Sequence, residues 1–339
     1  MTPSPALPRN ALFDDAERPP DLPVCDHYCG NELRMRKAME LQAEMGPVFD
    51  ITLDCEDGAP IGGEAEHAAM VAEVVLSADN RFGRVAARVH PIDHPSFGAD
   101  VETLVGRAGD RLAFLMLPKS RHLSDIEQAI AHIRRVAQSH GRGQKLPVHA
   151  LIESHGALRD VQAIAALPAI QSLSFGLMDF VSAHRGAIPQ QAMTVKGQFE
   201  HPLVVRAKLE IAAACHAAGK VPSHCGVTEF KHLASVQTAA ARAAHDFGYM
   251  RMRSIHPAQI HAIIEAFSPS VAEVDEAIEI LSAALNMQWA PMQHRRLGLD
   301  LLHDRGSYRY YWHVLERARR TGQPLPAETE LALFGGDGG

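Results

Sequence analysis

Acidic side chains stand immediately after three short, strand-like runs of this chain. Asp54, Glu56 and Asp57 close the run Val48-Phe-Asp-Ile-Thr-Leu53, Glu153 closes Leu146-Pro-Val-His-Ala-Leu-Ile152, and Asp179 follows Ile170-Gln-Ser-Leu-Ser-Phe175. Carboxylates gathered where parallel strands end suit a hard cation such as Mg²⁺, which takes one or two protein carboxylates and keeps several waters. Glu153 and Asp179 are the candidate direct ligands, and Glu56 and Asp57 would accept hydrogen bonds from metal-bound water. Each acid taken singly has another reading, as a helix cap that offsets the positive N-terminal dipole. Capping does not explain why all of them fall at one rim.

Cations join these acids. Arg88 ends the run Arg84-Val-Ala-Ala-Arg88, where an arginine is costly to bury unless it meets a carboxylate. It is read as a bidentate clamp on a substrate carboxylate, as an internal ion pair with Asp54 or Glu56, or as both. Lys119, in Leu117-Pro-Lys119, places an ammonium at the same rim for an anionic substrate. His256 either contacts a ligand or buttresses the last strand; the buttress is the preferred reading.

Such a rim requires elements that end together. Strand-like runs are expected at 48–54, 84–89, 111–117, 146–152 and 170–175, with weaker candidates at 23–27, 220–223 and 249–255. Between them, apolar residues recur at helical spacing over 32–44, 64–76, 99–105, 123–138, 157–166, 203–218, 229–247 and 257–265. Strict alternation implies parallel strands joined by right-handed crossovers. No Gly-x-Gly-x-x-Gly follows the first strand, which removes the usual dinucleotide argument. Eight units over about 245 residues favour an α/β fold of the (β/α)8 TIM barrel type with a C-terminal helical extension. The expected organisation is an irregular arm over 1–22, the barrel over 23–267, a helical lid or oligomerisation segment over 268–325 and a flexible tail over 326–339.

Composition narrows the partners. A chain of 339 residues with formal charge −7 has no basic excess to neutralise phosphates, so nucleic acid and anionic membrane are not expected as partners. No apolar run approaches the ~20 residues of a membrane span, and a cytoplasmic location is expected. The five cysteines read as reduced thiols. Cys25 and Cys29 have metal-ligand spacing but lack a second pair, and a zinc site is disfavoured.

Six motifs in register carry a resemblance. Leu53-Asp-Cys-Glu-Asp-Gly58, Ala87-Arg-Val-His90, Leu117-Pro-Lys119, Leu151-Ile-Glu-Ser154, Ser174-Phe-Gly-Leu-Met-Asp179 and Ser254-Ile-His-Pro-Ala-Gln259 together resemble the HpcH/HpaI aldolase and citrate lyase β-subunit family over roughly residues 23–290. The resemblance implies a (β/α)8 barrel, Mg²⁺, and a homotrimer or homohexamer acting on 3-hydroxyacyl-CoA esters such as citryl-, malyl- and citramalyl-CoA. By position, Glu153 and Asp179 resemble the family's metal ligands, Glu56 and Asp57 its water-mediated acids, and Arg88 its substrate-carboxylate arginine. Asp304, in Leu302-His-Asp-Arg305, is the candidate for an acid/base that the family often brings from a neighbouring subunit. Asp54 is left a structural role.

The implied reaction is a retro-Claisen cleavage. Related readings are an aldolase or thioesterase on a hydroxy or oxo acid, and a non-catalytic subunit docking an acyl carrier protein. The chain departs from the family pattern at Cys25-Asp-His-Tyr-Cys-Gly30, at Ala59-Pro-Ile-Gly-Gly-Glu64, at His90 and at Gly306-Ser-Tyr-Arg-Tyr-Tyr-Trp312. These departures touch the expected CoA pocket and lid, and leave the carboxylates intact.

Overall fold

The computed structural model describes residues 6–14, 20–142, 146–296 and 299–335. The chain divides into two compact units, one formed by Pro20–Ala266 and the other by Met1–Pro19 with Phe267–Gly339.

The larger unit is a closed eight-stranded parallel barrel. Its strands are β1 (Cys25–Cys29), β2 (Phe49–Asp54), β3 (Val85–Arg88), β4 (Leu115–Leu117), β5 (Val148–Ile152), β6 (Ile170–Phe175), β7 (Val221–His224) and β8 (Arg251–Ser254). Each pairs with the next, and β8 returns to β1 with Asp26 opposite Arg253. Helices Glu32–Met45, Glu64–Leu76, Phe97–Ala108, Leu123–Ser139, Pro202–Ala217, Leu233–His245 and Ala258–Phe267 separate the strands, with two short helices after β5. Local chemistry sets their starts: Asn31 caps the first by accepting from the Arg34 amide at 3.0 Å, and Pro202 opens another at its first turn.

The strands are buried on both faces, and the pleat sorts their residues by period two. In β2, Phe49, Ile51 and Leu53 alternate with Asp50, Thr52 and Asp54, all of them buried. The polar set meets residues from other strands across the barrel interior. Arg251 Nη2 lies 2.9 Å from Asp50 Oδ2 and 3.6 Å from Asp26 Oδ2, while Thr52 Oγ1 donates to Asp26 Oδ1 at 2.7 Å. Burial in this network, against the pull of Arg251, pushes the Asp26 carboxyl up to about 6. Tyr28, Ala86, Phe114, Met116 and Leu151 form an apolar cluster beside it.

The expected run at 170–175 coincides with β6. The run at 111–117 yields a strand only over Leu115–Leu117, because Gly109–Arg111 closes a 3-10 turn first. The helix expected over 157–166 is two short pieces, His155–Arg159 and Val161–Ala166, broken at Asp160.

The smaller unit differs from the arm, lid and tail expected for it. Residues Pro8–Leu12 form a helical turn with proline at its start, and Leu12 and Phe13 are buried with Tyr308, Trp312 and Leu315. Val271–Asn286 is a helix with a capping box between Ser270 and Glu273, and Met292–Arg296 pairs antiparallel with Leu299–His303 as a hairpin. Helix Arg305–Arg320 follows. The segment expected to be a flexible tail contains helix Ala327–Phe334, whose Leu333 is fully buried. The remainder of that expected tail, 336–339, lies outside the described residues.

Candidate active site

The carboxyl ends of the barrel strands surround a cavity of about 720 Å³. This is the rim where (β/α)8 barrels place reactive groups. Asp54, Asp57, Arg88, Glu153 and Asp179 all line it. Glu56 and Lys119 are tied to this set by ion pairs.

Asp54 and Arg88 are opposite residues in the β2–β3 ladder. Asp54 Oδ1 accepts from Arg88 Nε at 2.8 Å and from the Glu56 amide at 2.9 Å. Its Oδ2 accepts from Arg88 Nη2 at 2.5 Å and from the Gly58 amide at 2.8 Å. One carboxylate thus fixes the arginine and folds the turn that carries Glu56 and Asp57, which is a structural task. Glu56 Oε2 lies 2.9 Å from Arg88 Nη1, so both readings of Arg88 are compatible: it is ion-paired, yet two of its five N–H donors remain. The turn also demands glycine, because a methyl on Gly30 would overlap the Gly58 carbonyl.

Lys119 follows β4 with a left-handed backbone, φ 51°. Its Nζ lies 2.5 Å from Glu56 Oε1 and 2.7 Å from Asp57 Oδ1. Against its partial burial, Asp57 is held below the usual carboxylate range by this ammonium. The Lys119 amide donates to Glu153 Oε1 at 2.5 Å.

Glu153 and Asp179 have different company. Among the described residues, no lysine, arginine or histidine nitrogen lies within 4.0 Å of either carboxylate. Burial first, and then the negative charge of Asp179, push the Glu153 carboxyl up to about 7. Asp179 sits in the first turn of helix Leu177–Ser182, after β6. Gly176 permits the approach, since a side chain there would overlap the Glu153 carboxylate. Gly176→Ala is expected to destabilise the protein by ~1–3 kcal/mol, the usual range for overpacking, and to weaken divalent-ion binding. Chemical denaturation and metal titration of the variant check this, and wild-type behaviour in both would refute the packing argument.

The donor set defines which ions fit. Among the described residues, no group of three or more His, Cys, Asp or Glu side chains could hold a metal. All five cysteines are free and buried, so Cys25 and Cys29 form no zinc site with further ligands. Two carboxylates with open cavity beside them fit a cation that keeps much of its water.

His256 lines the cavity and accepts from the Ala258 amide through Nδ1 at 3.2 Å, which turns the chain into the last barrel helix. Asp304 belongs to the other unit. There its Oδ1 accepts from the Gly306 and Ser307 amides and caps helix Arg305–Arg320. Sequence reasoning missed Tyr28 and Arg253, which also line the cavity. The signal was present: Arg251 and Arg253 are two apart in a strand and therefore share a face.

These features define a (β/α)8 barrel enzyme with a two-carboxylate centre beside an arginine–acid network. The sequence model of the HpcH/HpaI aldolase/citrate lyase family matches residues 39–257, and the chain belongs to that family. Its relatives are named as lyases. A citrate lyase structure from Burkholderia xenovorans LB400 is 52% identical, with TM-score 0.83, covering 97% of this chain and 99% of that one. The L-malyl-CoA/β-methylmalyl-CoA lyase of Cereibacter sphaeroides is 29% identical over 246 residues, 69% of this chain and 76% of its own length. The CitE protein of Mycobacterium tuberculosis, solved with magnesium, acetoacetate and coenzyme A, is 20% identical with TM-score 0.65, covering 89% of this chain and 98% of that one. That last likeness speaks to the fold. Among the described residues, no helix is long and apolar enough to cross a membrane.

Proposed function

We propose that this protein is a Mg²⁺-dependent carbon–carbon lyase that cleaves or forms a 3-hydroxyacyl-CoA thioester of the citryl-, malyl- or citramalyl-CoA type. The observation that carries the reading is the meeting, in one cavity, of two carboxylates without cationic partners and an arginine already fixed by acids. Family membership and the CoA-ester lyases among the relatives support the substrate class. Magnesium in the Mycobacterium tuberculosis structures supports the ion.

When bound at Glu153 and Asp179, the ion supplies Lewis-acid polarisation of a substrate oxygen. Everything else is assigned to the chain. The Lys119 amide and the close approach of Gly176 orient Glu153. Arg88 directs its remaining N–H donors at the carboxylate of the hydroxy acid, and Asp54 keeps that fork from rotating. Glu56 and Asp57 hold the Lys119 ammonium near developing negative charge, and would accept hydrogen bonds from water on the ion. A base takes the hydroxyl proton, the C–C bond breaks, and the thioester fragment leaves as an enolate that is then protonated. Asp304 is assigned the acid/base role, delivered from a second copy in a trimer or hexamer.

The test is turnover of the three thioesters with MgCl₂, following acetyl-CoA and oxo acid release, with free hydroxy acids alongside. Mg²⁺-dependent cleavage of at least one thioester is expected. Turnover of free acids alone would replace the reading with an aldolase. Asp304→Asn keeps a good helix cap, so melting should be unchanged while kcat falls by ~10²-fold, within the range for general acid–base catalysis. Unchanged kcat would remove Asp304 from the chemistry.

A further inference from the structure

Arg253 lines the cavity, and the lyase reading leaves it without a task. It shares a strand face with Arg251, but the two arginines keep different company. Arg251 is fully buried against Asp50 and Asp26. Arg253 is half-buried; among the described residues no carboxylate lies within 4.0 Å of it, and its Nε is buried without a hydrogen-bond partner. Asp26, its neighbour across the ladder, spends its oxygens on Thr52 and Arg251.

Tyr28 is the contact that orients Arg253. The Arg253 guanidinium lies 4.9 Å from the Tyr28 ring centroid, and Arg88 lies 5.5 Å from the same ring. The Tyr28 hydroxyl is itself buried with no hydrogen-bond partner. Buried donors left unmatched at a cavity wall are a demand for an acceptor. A planar guanidinium beside a hydroxyl answers best to a carboxylate. Arg88 cannot serve in its place, because Asp54 and Glu56 already take three of its donors and the rest face the reacting acid.

We propose that Arg253, with the Tyr28 hydroxyl beside it, receives a second carboxylate on the acid half of the substrate, so that dicarboxylic oxo acids are selected over monocarboxylic ones. This deepens the lyase reading and rests on it for the reaction, but not for the binding. In this arrangement Arg88 and the Glu153–Asp179 centre hold the carboxylate and oxygen common to every such acid. Arg253 adds discrimination by charge at the far end, with Tyr28 fixing the plane of the fork.

The experiment is calorimetric binding of oxaloacetate and pyruvate to the full chain with MgCl₂ present. Wild type is expected to bind oxaloacetate at least about tenfold more tightly than pyruvate, the worth of one charge-assisted pair. Arg253→Met should bring that ratio near one and leave pyruvate binding within about twofold, while Arg253→Lys restores part of the preference. Equal binding of the two acids by wild type, or binding of neither, overturns the proposal. So does Arg253→Met weakening both acids equally with no rescue by lysine, which is the signature of a structural role. A protein inert toward every thioester that still shows the Arg253-dependent ratio loses only the lyase reading. An active lyase whose ratio ignores Arg253 loses only this one.

Discussion

Glu153→Gln is expected to abolish the response of this protein to magnesium. The amide preserves the shape that packs against Gly176 and still accepts from the Lys119 main chain. What it removes is charge, so kcat/KM should fall by ~10³-fold, about 4 kcal/mol of lost transition-state stabilisation. Stability should move the other way. The Glu153 carboxyl is raised from 4.5 to about 7 in the fold by burial and by Asp179. Between those values the folded state keeps a proton that the unfolded chain has lost, so stability declines as pH rises through the window. Without metal, Glu153→Gln should therefore melt above wild type at pH 8 and alongside it near pH 4.5. Added MgCl₂ should raise the wild-type melting temperature at pH 8 and leave the variant unmoved. A variant that still binds the ion would remove Glu153 from the metal centre.

Arg88→Met carries the second large effect, in stability as well as activity. Arg88 is only 8% exposed and contacts Asp54 and Glu56, themselves buried, so its loss leaves carboxylates without their cation. Breaking a buried pair of this kind costs ~3–5 kcal/mol. Asp54→Asn combined with Arg88→Met should recover part of that loss, since the stranded charge is gone, while activity stays absent. Urea denaturation of the four proteins in the cycle measures this coupling. A single variant within ~0.5 kcal/mol of wild type would show the pair to be structurally idle.

The barrel was legible because its strands are short, apolar and regularly separated by helical runs. The acids at their ends were legible because each follows such a run directly. What the sequence concealed is the polar interior. Asp26, Asp50 and Arg251 sit within strands, where a charged residue reads as a break in the pattern, and this weakened the runs at 23–27 and 249–255. Only closure of the barrel brings β8 next to β1 and gives those charges partners. Arg253 was hidden by the same effect. The smaller unit was read as arm, lid and tail because its helices are short and its hairpin lies in a basic stretch. Leu12, Trp312 and Leu333 have a core only when sequence-distant ends pack together. The partnering of Lys119 was invisible too, since nothing local predicts that its side chain turns to Glu56 while its amide turns to Glu153.

That double attachment makes Lys119 a shared fulcrum. Its ammonium grips the Arg88 network, its main chain grips the paired carboxylates, and its left-handed backbone leaves little slack between the two. An anion that draws the ammonium away from Glu56 must also tilt the amide that steers Glu153. Occupancy at one end is thereby felt at the other, and by reciprocity the favour is returned in equal measure. Cation and acid would then not arrive as independent guests: each alters the welcome given to the other.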